Sequence, residues 1–151
     1  GKYLGNILNG KVKNWQHRWK TIVSSEIGRA TNHGAANAAI HNNPDKDLNE
    51  IYVYKQGTTN SEQACNSCKW MWFLPDGTPR IYRLQDLLAA GTNIGKKLKD
   101  WKATVDLTHP HCGHILESIK ENYGFVDGKL DYIGKGHNAF VAQKAKYPSL
   151  K

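Results

Sequence analysis

No stretch of this chain approaches the roughly 20 consecutive apolar residues that a bilayer-spanning helix needs. Nor does a charged-then-apolar leader open it, so a soluble chain is expected. Acidic residues are scarce: 13 Asp and Glu against 21 Lys and Arg leave a formal net charge of +8, which attracts polyanions such as nucleic acid, at least non-specifically. Cysteine is scarcer still. Three of them, an odd number, disfavour a secreted disulfide framework and favour reduced thiols. Internal repeats and a dividing linker are also missing, so 151 residues with 39% hydrophobic content predict one α+β domain with a modest core. Gly1 stands where an initiator methionine would, which fits a fragment of a longer protein or a chain trimmed of a tag.

What is present concentrates on two short segments, Cys65-Asn-Ser-Cys68 and Cys112-Gly-His114. A Cys-x-x-Cys turn sets two thiolates at about the separation one ion accepts, and structural zinc takes four N or S ligands in a tetrahedron. If residues 112–114 begin a strand, its period of two turns Cys112 and His114 to the same face. The predicted ligands are therefore Cys65, Cys68, Cys112 and His114, with His109 as the alternative fourth, and the predicted cofactor is structural zinc. The competing expectation is a Cys65–Cys68 disulfide, or two idle thiols, with a buried Cys112. The positive charge has two clusters: Lys11, Lys13, Arg18 and Lys20, and the tighter set Lys96, Lys97, Lys99 and Lys102, which is the candidate DNA-contacting surface.

Trp15, Trp19, Ile22, Val23, Ile27 and Ala30 recur at three- and four-residue spacing and predict a helix over residues 13 to about 41 with one apolar stripe. Gly34 weakens it, and Asn42-Asn43-Pro44-Asp45 stops it. Ile51 to Lys55 reads as a strand closed by the turn at 56–60. Trp70 to Leu74, the turn Pro75-Asp-Gly-Thr-Pro79 and Arg80 to Leu84 together read as a hairpin arm. Gln85 to Ala90 predicts a short helix ending at Gly91, and Gly95 to Lys102 a basic loop or helical turn carrying a buried Trp101. Residues 115–119 continue the strand or turn helical, Asp127-Gly128 predicts a tight hairpin, and Ala139 to Ala145 a last helix. Tyr52 and Tyr54 could stack on bases but belong more naturally to a core.

The order Glu26, Arg29-Ala30, Asn32 and Gly34, then Cys65-x-x-Cys68, Pro75-Asp-Gly-Thr-Pro-Arg80, Asn93-x-Gly95, Trp101-Lys102 and His109-Pro-His-Cys112 resembles the phage head morphogenesis domain of Mu F-like minor head proteins. The likeness covers roughly residues 18–116, with residues 117–151 as a hairpin and tail that belong to the domain or extend it. It implies a non-enzymatic minor capsid component at the portal vertex inside the virion, acting in head assembly or DNA delivery. The implied partners are the portal protein, scaffold or other capsid proteins, and double-stranded DNA held by charge, with no membrane. The family typically closes on His-Pro-x-Cys-Arg-Cys, whereas here Gly113 replaces the arginine and His114 the last cysteine. Histidine keeps a zinc ligand there, which favours a metal over a disulfide.

Four protein ligands leave no open position for water, so the expected site is structural. His111 alternates to the other face of an extended segment and has no assigned role. Residues 68–112 carry two proline-flanked turns and a lysine-rich loop, and are expected to hold too few apolar residues to fold without the ion. A zinc deaminase would show His-x-Glu and Pro-Cys-x-x-Cys, and neither is present. The alternative function is an HNH-like metal-finger nuclease acting on DNA, which would combine the Cys-x-x-Cys with a catalytic histidine and basic charge.

Overall fold

The computed structural model describes residues 2–56, 65–109 and 112–150, with backbone alone at 2–5, 7, 8 and 12. The turn expected at 57–60 and the residue His111 lie outside them. A single long helix, α1 (Lys2–His41), leads the chain. It contains no proline and runs through Gly34, then stops where Pro44 bars helical backbone at Asn43. The Asn43 side chain closes the end by donating to the Ala39 carbonyl at 2.8 Å.

The strand β1 (Tyr52–Gln56) is the middle of a three-stranded antiparallel sheet, flanked by β2 (Tyr82–Arg83) and β3 (Ile115–Ser118). Its register on β3 runs from Val53 opposite Ser118 to Gln56 opposite Ile115. Val53 and Lys55 point to one face of β1 and Tyr54 to the other, and all three are buried, so both faces of this strand are covered. Between β1 and β2 lies α2 (Asn66–Trp72), and after β2 come α3 (Leu84–Ala90), which ends on positive-φ Gly91, and a single helical turn at Leu98–Asp100. The hairpin β4 (Tyr123–Val126) and β5 (Lys129–Tyr132) turns on Asp127 and Gly128, both at positive φ as a tight two-residue turn requires. The last helix, α4 (Ala139–Lys146), starts from Asn138, whose side chain accepts from the Phe140 and Val141 amides. Its Phe140 ring stacks on Tyr52 at 5.1 Å. The fold is thus α+β, a long N-terminal helix on a small antiparallel sheet with a loop-rich half.

Two expectations are corrected, and the stripe of α1 is placed. Residues 70–72 are helical, not strand: the aromatic run puts Met71 and Trp72 into the core from α2, and only a Phe73–Pro79 bridge remains of the hairpin arm. Residues 68–112 are not short of apolar side chains, since Met71, Trp72, Phe73, Leu84, Leu87, Val105 and Leu107 supply half of the principal core cluster. The apolar stripe of α1 is not its core face. Trp15, Trp19, Ile22 and Ile27 stay 53–65% exposed, while the body is met by Gly28, Asn32, Ala36 and Ala39. Small residues serve there because the helix runs close: a Cβ on Gly28 would lie 2.8 Å from the Leu107 side chain.

Candidate metal centre

The Cys-x-x-Cys forms the start of α2: Cys65 stands at its N-cap with extended backbone, and Cys68 follows one turn on, facing the core. Placing the two thiols on a helical first turn brings both to one side. The opposing residues, 103–109 and 112–114, are held by buried polar groups rather than by regular structure. Asn93, which is buried, donates to the carbonyls of Lys102 at 3.0 Å and Thr108 at 3.4 Å and accepts from the Lys102 amide at 3.0 Å. Trp72 Nε1 donates to Thr108 Oγ1 at 2.7 Å, and Lys55 Nζ to the Asp106 carbonyl at 2.6 Å. From α1, the buried Asn32 accepts from the Leu116 amide at 3.0 Å and donates to the His114 carbonyl at 3.4 Å. Arg29 pairs with the buried Asp106 at 3.0 Å. These clamps fix where His109, Cys112 and His114 point.

Five sulfur and nitrogen donors result, in two overlapping triads: Cys65, Cys68 and His109, and Cys68, Cys112 and His114, each with its donor atoms within 4.8 Å of one another. His109 Nε2 lies 3.2 Å from Cys65 Sγ and 3.6 Å from Cys68 Sγ, and His114 Nδ1 lies 3.4 Å from Cys112 Sγ. Those separations match the roughly 3.6 Å edge between sulfur and nitrogen in a zinc tetrahedron with bonds of about 2.3 and 2.05 Å. All three cysteines are free thiols, so the Cys65–Cys68 disulfide is not formed. Each sequence-predicted ligand therefore reaches the cluster, though not as one quartet: Cys65 sits in the outer triad, Cys112 and His114 in the inner, and Cys68 in both. The same-face prediction for 112 and 114 holds although β3 starts only at Ile115, because the burial alternates across exposed Gly113.

The electrostatics suit a thiolate cluster. Hydrogen bonding from Cys68, then from His114, holds the Cys112 thiol far below its ordinary range, and the same bond together with burial pushes Cys68 up. Burial raises Cys65, but hydrogen bonds from Cys68 and His109 outweigh it and the net shift is downward. His114 Nε2 is buried with no hydrogen-bond partner among the described residues. Lys55 is the residue sequence reasoning missed. Its side chain is fully buried, its ammonium 4.4 Å from the centre of the Trp72 ring, and it feels the charge of Cys112 and Cys68. Burial pushes it down to about 8 against their pull. A lysine inside an otherwise β-branched and aromatic strand was the available signal.

Against the outer triad lies a cavity of about 220 Å³ whose walls include Glu26, Arg29, Asn93, Gly95, Trp101 and His109. Trp101 is half-buried and its ring stacks on His109 at 6.3 Å. Lys96, Lys97, Lys99 and Lys102 are all exposed around the same loop. Tyr54 is a core residue, its hydroxyl 2.7 Å from Glu117 and its ring edge-on to Phe125. No known protein family, characterised protein or solved structure matches this chain. Among the described residues no helix is long and apolar enough to cross a membrane. The cluster can hold a metal ion: its donors are soft, and three of the five are buried.

Proposed function

We propose that this chain is a non-enzymatic minor head protein of a tailed phage or prophage, acting with the portal inside the virion in head assembly or DNA delivery, and carrying one structural zinc ion. The observation behind it is convergence. Residues that the head-morphogenesis resemblance picks out far apart in the sequence, Glu26, Arg29, Asn93, Gly95, Trp101 and His109, line one cavity, and the Cys-x-x-Cys closes on that same His109. Zinc is the ion for such a donor set, since thiolate and imidazole in fours suit a tetrahedral d¹⁰ cation better than the oxygen-seeking magnesium or calcium.

Three thiolates, Cys65, Cys68 and Cys112, with one imidazole make four ligands once the ion draws Cys112, which stands with Cys68 in the inner triad, toward the outer one. His109 is the better imidazole, because its Nε2 already touches two of the sulfurs whereas His114 touches one. His114 then serves by donating from Nδ1 to the Cys112 thiolate, an outer contact of the kind that orients ligands and tunes their charge. A divalent ion with three thiolates and a neutral imidazole leaves one negative charge, and the buried Lys55 offsets it.

Elemental analysis of the purified protein should return one zinc per chain. His109→Ala should lose it and His114→Ala should keep it with weaker hold. Co-expression with the portal protein of the same phage or prophage should give a co-purifying complex. Magnesium-dependent plasmid nicking abolished by a single histidine substitution would overturn the assembly role in favour of a metal-finger nuclease.

A further inference from the structure

Among the described residues, no element covers the exposed stripe of α1. At 100° per residue, the line through Trp15, Trp19 and Ile22 lies roughly 110° around the helix from the line through Gly28, Asn32, Ala36 and Ala39 that packs on the body. The stripe is therefore not a continuation of the core face, and extending the body's packing along α1 would leave it bare. An exposed row of two indoles and several aliphatic side chains on a soluble body is the mark of a docking surface. The steps between Trp15, Trp19 and Ile22 are four and three, and the sequence extends the same alternation backward through Val12 and Leu8. That spacing is the one that keeps a seam turned toward a second helix.

Charge says which helix. The first 25 residues hold Lys2, Lys11, Lys13, Arg18 and Lys20 and no Asp or Glu; Glu26 is the first acid. Lys11, Lys13, Arg18 and Lys20 are all exposed beside or behind the stripe. A second copy of this chain would bring five more cations and no anion against them. A phosphate polymer would satisfy the cations and leave the indoles uncovered, and a lipid surface imposes no four-three register. We propose that the N-terminal half of α1 is the partner-binding surface of this protein, and that it pairs with an acidic amphipathic helix offering small apolar side chains opposite Trp15 and Trp19. The proposal deepens the assembly reading, and rests on it, by naming the surface through which a head component is held.

The test uses the full, metal-loaded chain and a labelled synthetic peptide of about four heptads, with Leu and Ala on the seam and Glu at the flanking positions. A second peptide carries Lys in place of Glu. Fluorescence anisotropy should show binding of the acidic peptide, weakening as salt rises, and none of the basic one. The double variant Trp15→Ala/Trp19→Ala should lower that affinity at least about tenfold while metal content and helical circular dichroism stay unchanged. Equal binding of both peptides, or of neither, overturns the proposal. So do dimers in sedimentation that the double variant abolishes, which would make the occupant a second copy, and so does retention on phosphatidylserine vesicles or duplex DNA with the peptide ignored. Peptide failure with portal co-purification intact discards this surface alone, whereas peptide binding without portal association discards the assembly reading.

Discussion

Lys55→Met should act in opposite directions on the metal-free and the metal-loaded protein. In the metal-free chain, burial takes the ammonium from an ordinary 10.5 down to about 8. At about 1.4 kcal/mol per pH unit, the buried cation is about 3 kcal/mol costlier in the fold than in water. Methionine fills similar space without that cost and forfeits the 2.6 Å bond to the Asp106 carbonyl and the ammonium's contact with the Trp72 ring, so the metal-free variant should be unchanged to about 2 kcal/mol more stable. The pH dependence follows from the lowered value. Between about 8 and 10.5 only the unfolded chain still holds the proton, so the metal-free wild type gains stability as pH rises through that window and the variant does not. In the loaded protein the cation offsets the surplus thiolate charge, and its loss should weaken metal affinity about 10- to 100-fold. Urea unfolding of both forms at pH 7 and 10, with metal affinity by competition against a chromogenic chelator, measures both signs. Equal destabilisation of the two forms with unchanged metal affinity would refute the reasoning and leave Lys55 an ordinary buried side chain.

Cys68→Ser should be the most damaging single ligand change, since its sulfur is the one donor shared by both triads; metal should be lost altogether, while Cys65→Ser at the exposed edge retains part of it. Chelation should lower the melting temperature and broaden near-ultraviolet dichroism from the Trp72 and Trp101 surroundings, with far-ultraviolet helix signal from α1 largely kept; an unchanged melt after exhaustive metal removal would contradict a structural ion. Duplex DNA should bind weakly and without sequence preference, and replacing Lys96, Lys97, Lys99 and Lys102 by Ala should flatten the log-log salt slope by up to about 3.6.

Local signals in this chain were reliable where a few neighbouring residues decide the outcome. Pro44 ends α1, Gly91 ends α3, and Asp127-Gly128 makes the hairpin, because each acts through its own backbone angles. The strand β1 and the helix α4 were legible for the same reason. Trp70 to Trp72 failed because aromatic composition favours a pleated, half-buried surface and says nothing of the Cys-x-x-Cys turn ahead of it, which opens a helix instead.

The amino-acid order by itself determined which donors were available, Cys65, Cys68, His109, Cys112 and His114, and that α1 would carry an apolar stripe, since both depend only on residue type and spacing. Tertiary structure alone decided that Cys68 stands between two triads, that His109 reaches two sulfurs, and that Lys55 lies buried beside them. It alone decided too that the stripe faces away from the core. Periodicity shows that a helix has an apolar side but not what covers it, and here α1 meets the body through Gly28, close against Leu107, and through the buried Ala36 and Ala39, leaving the large residues outside.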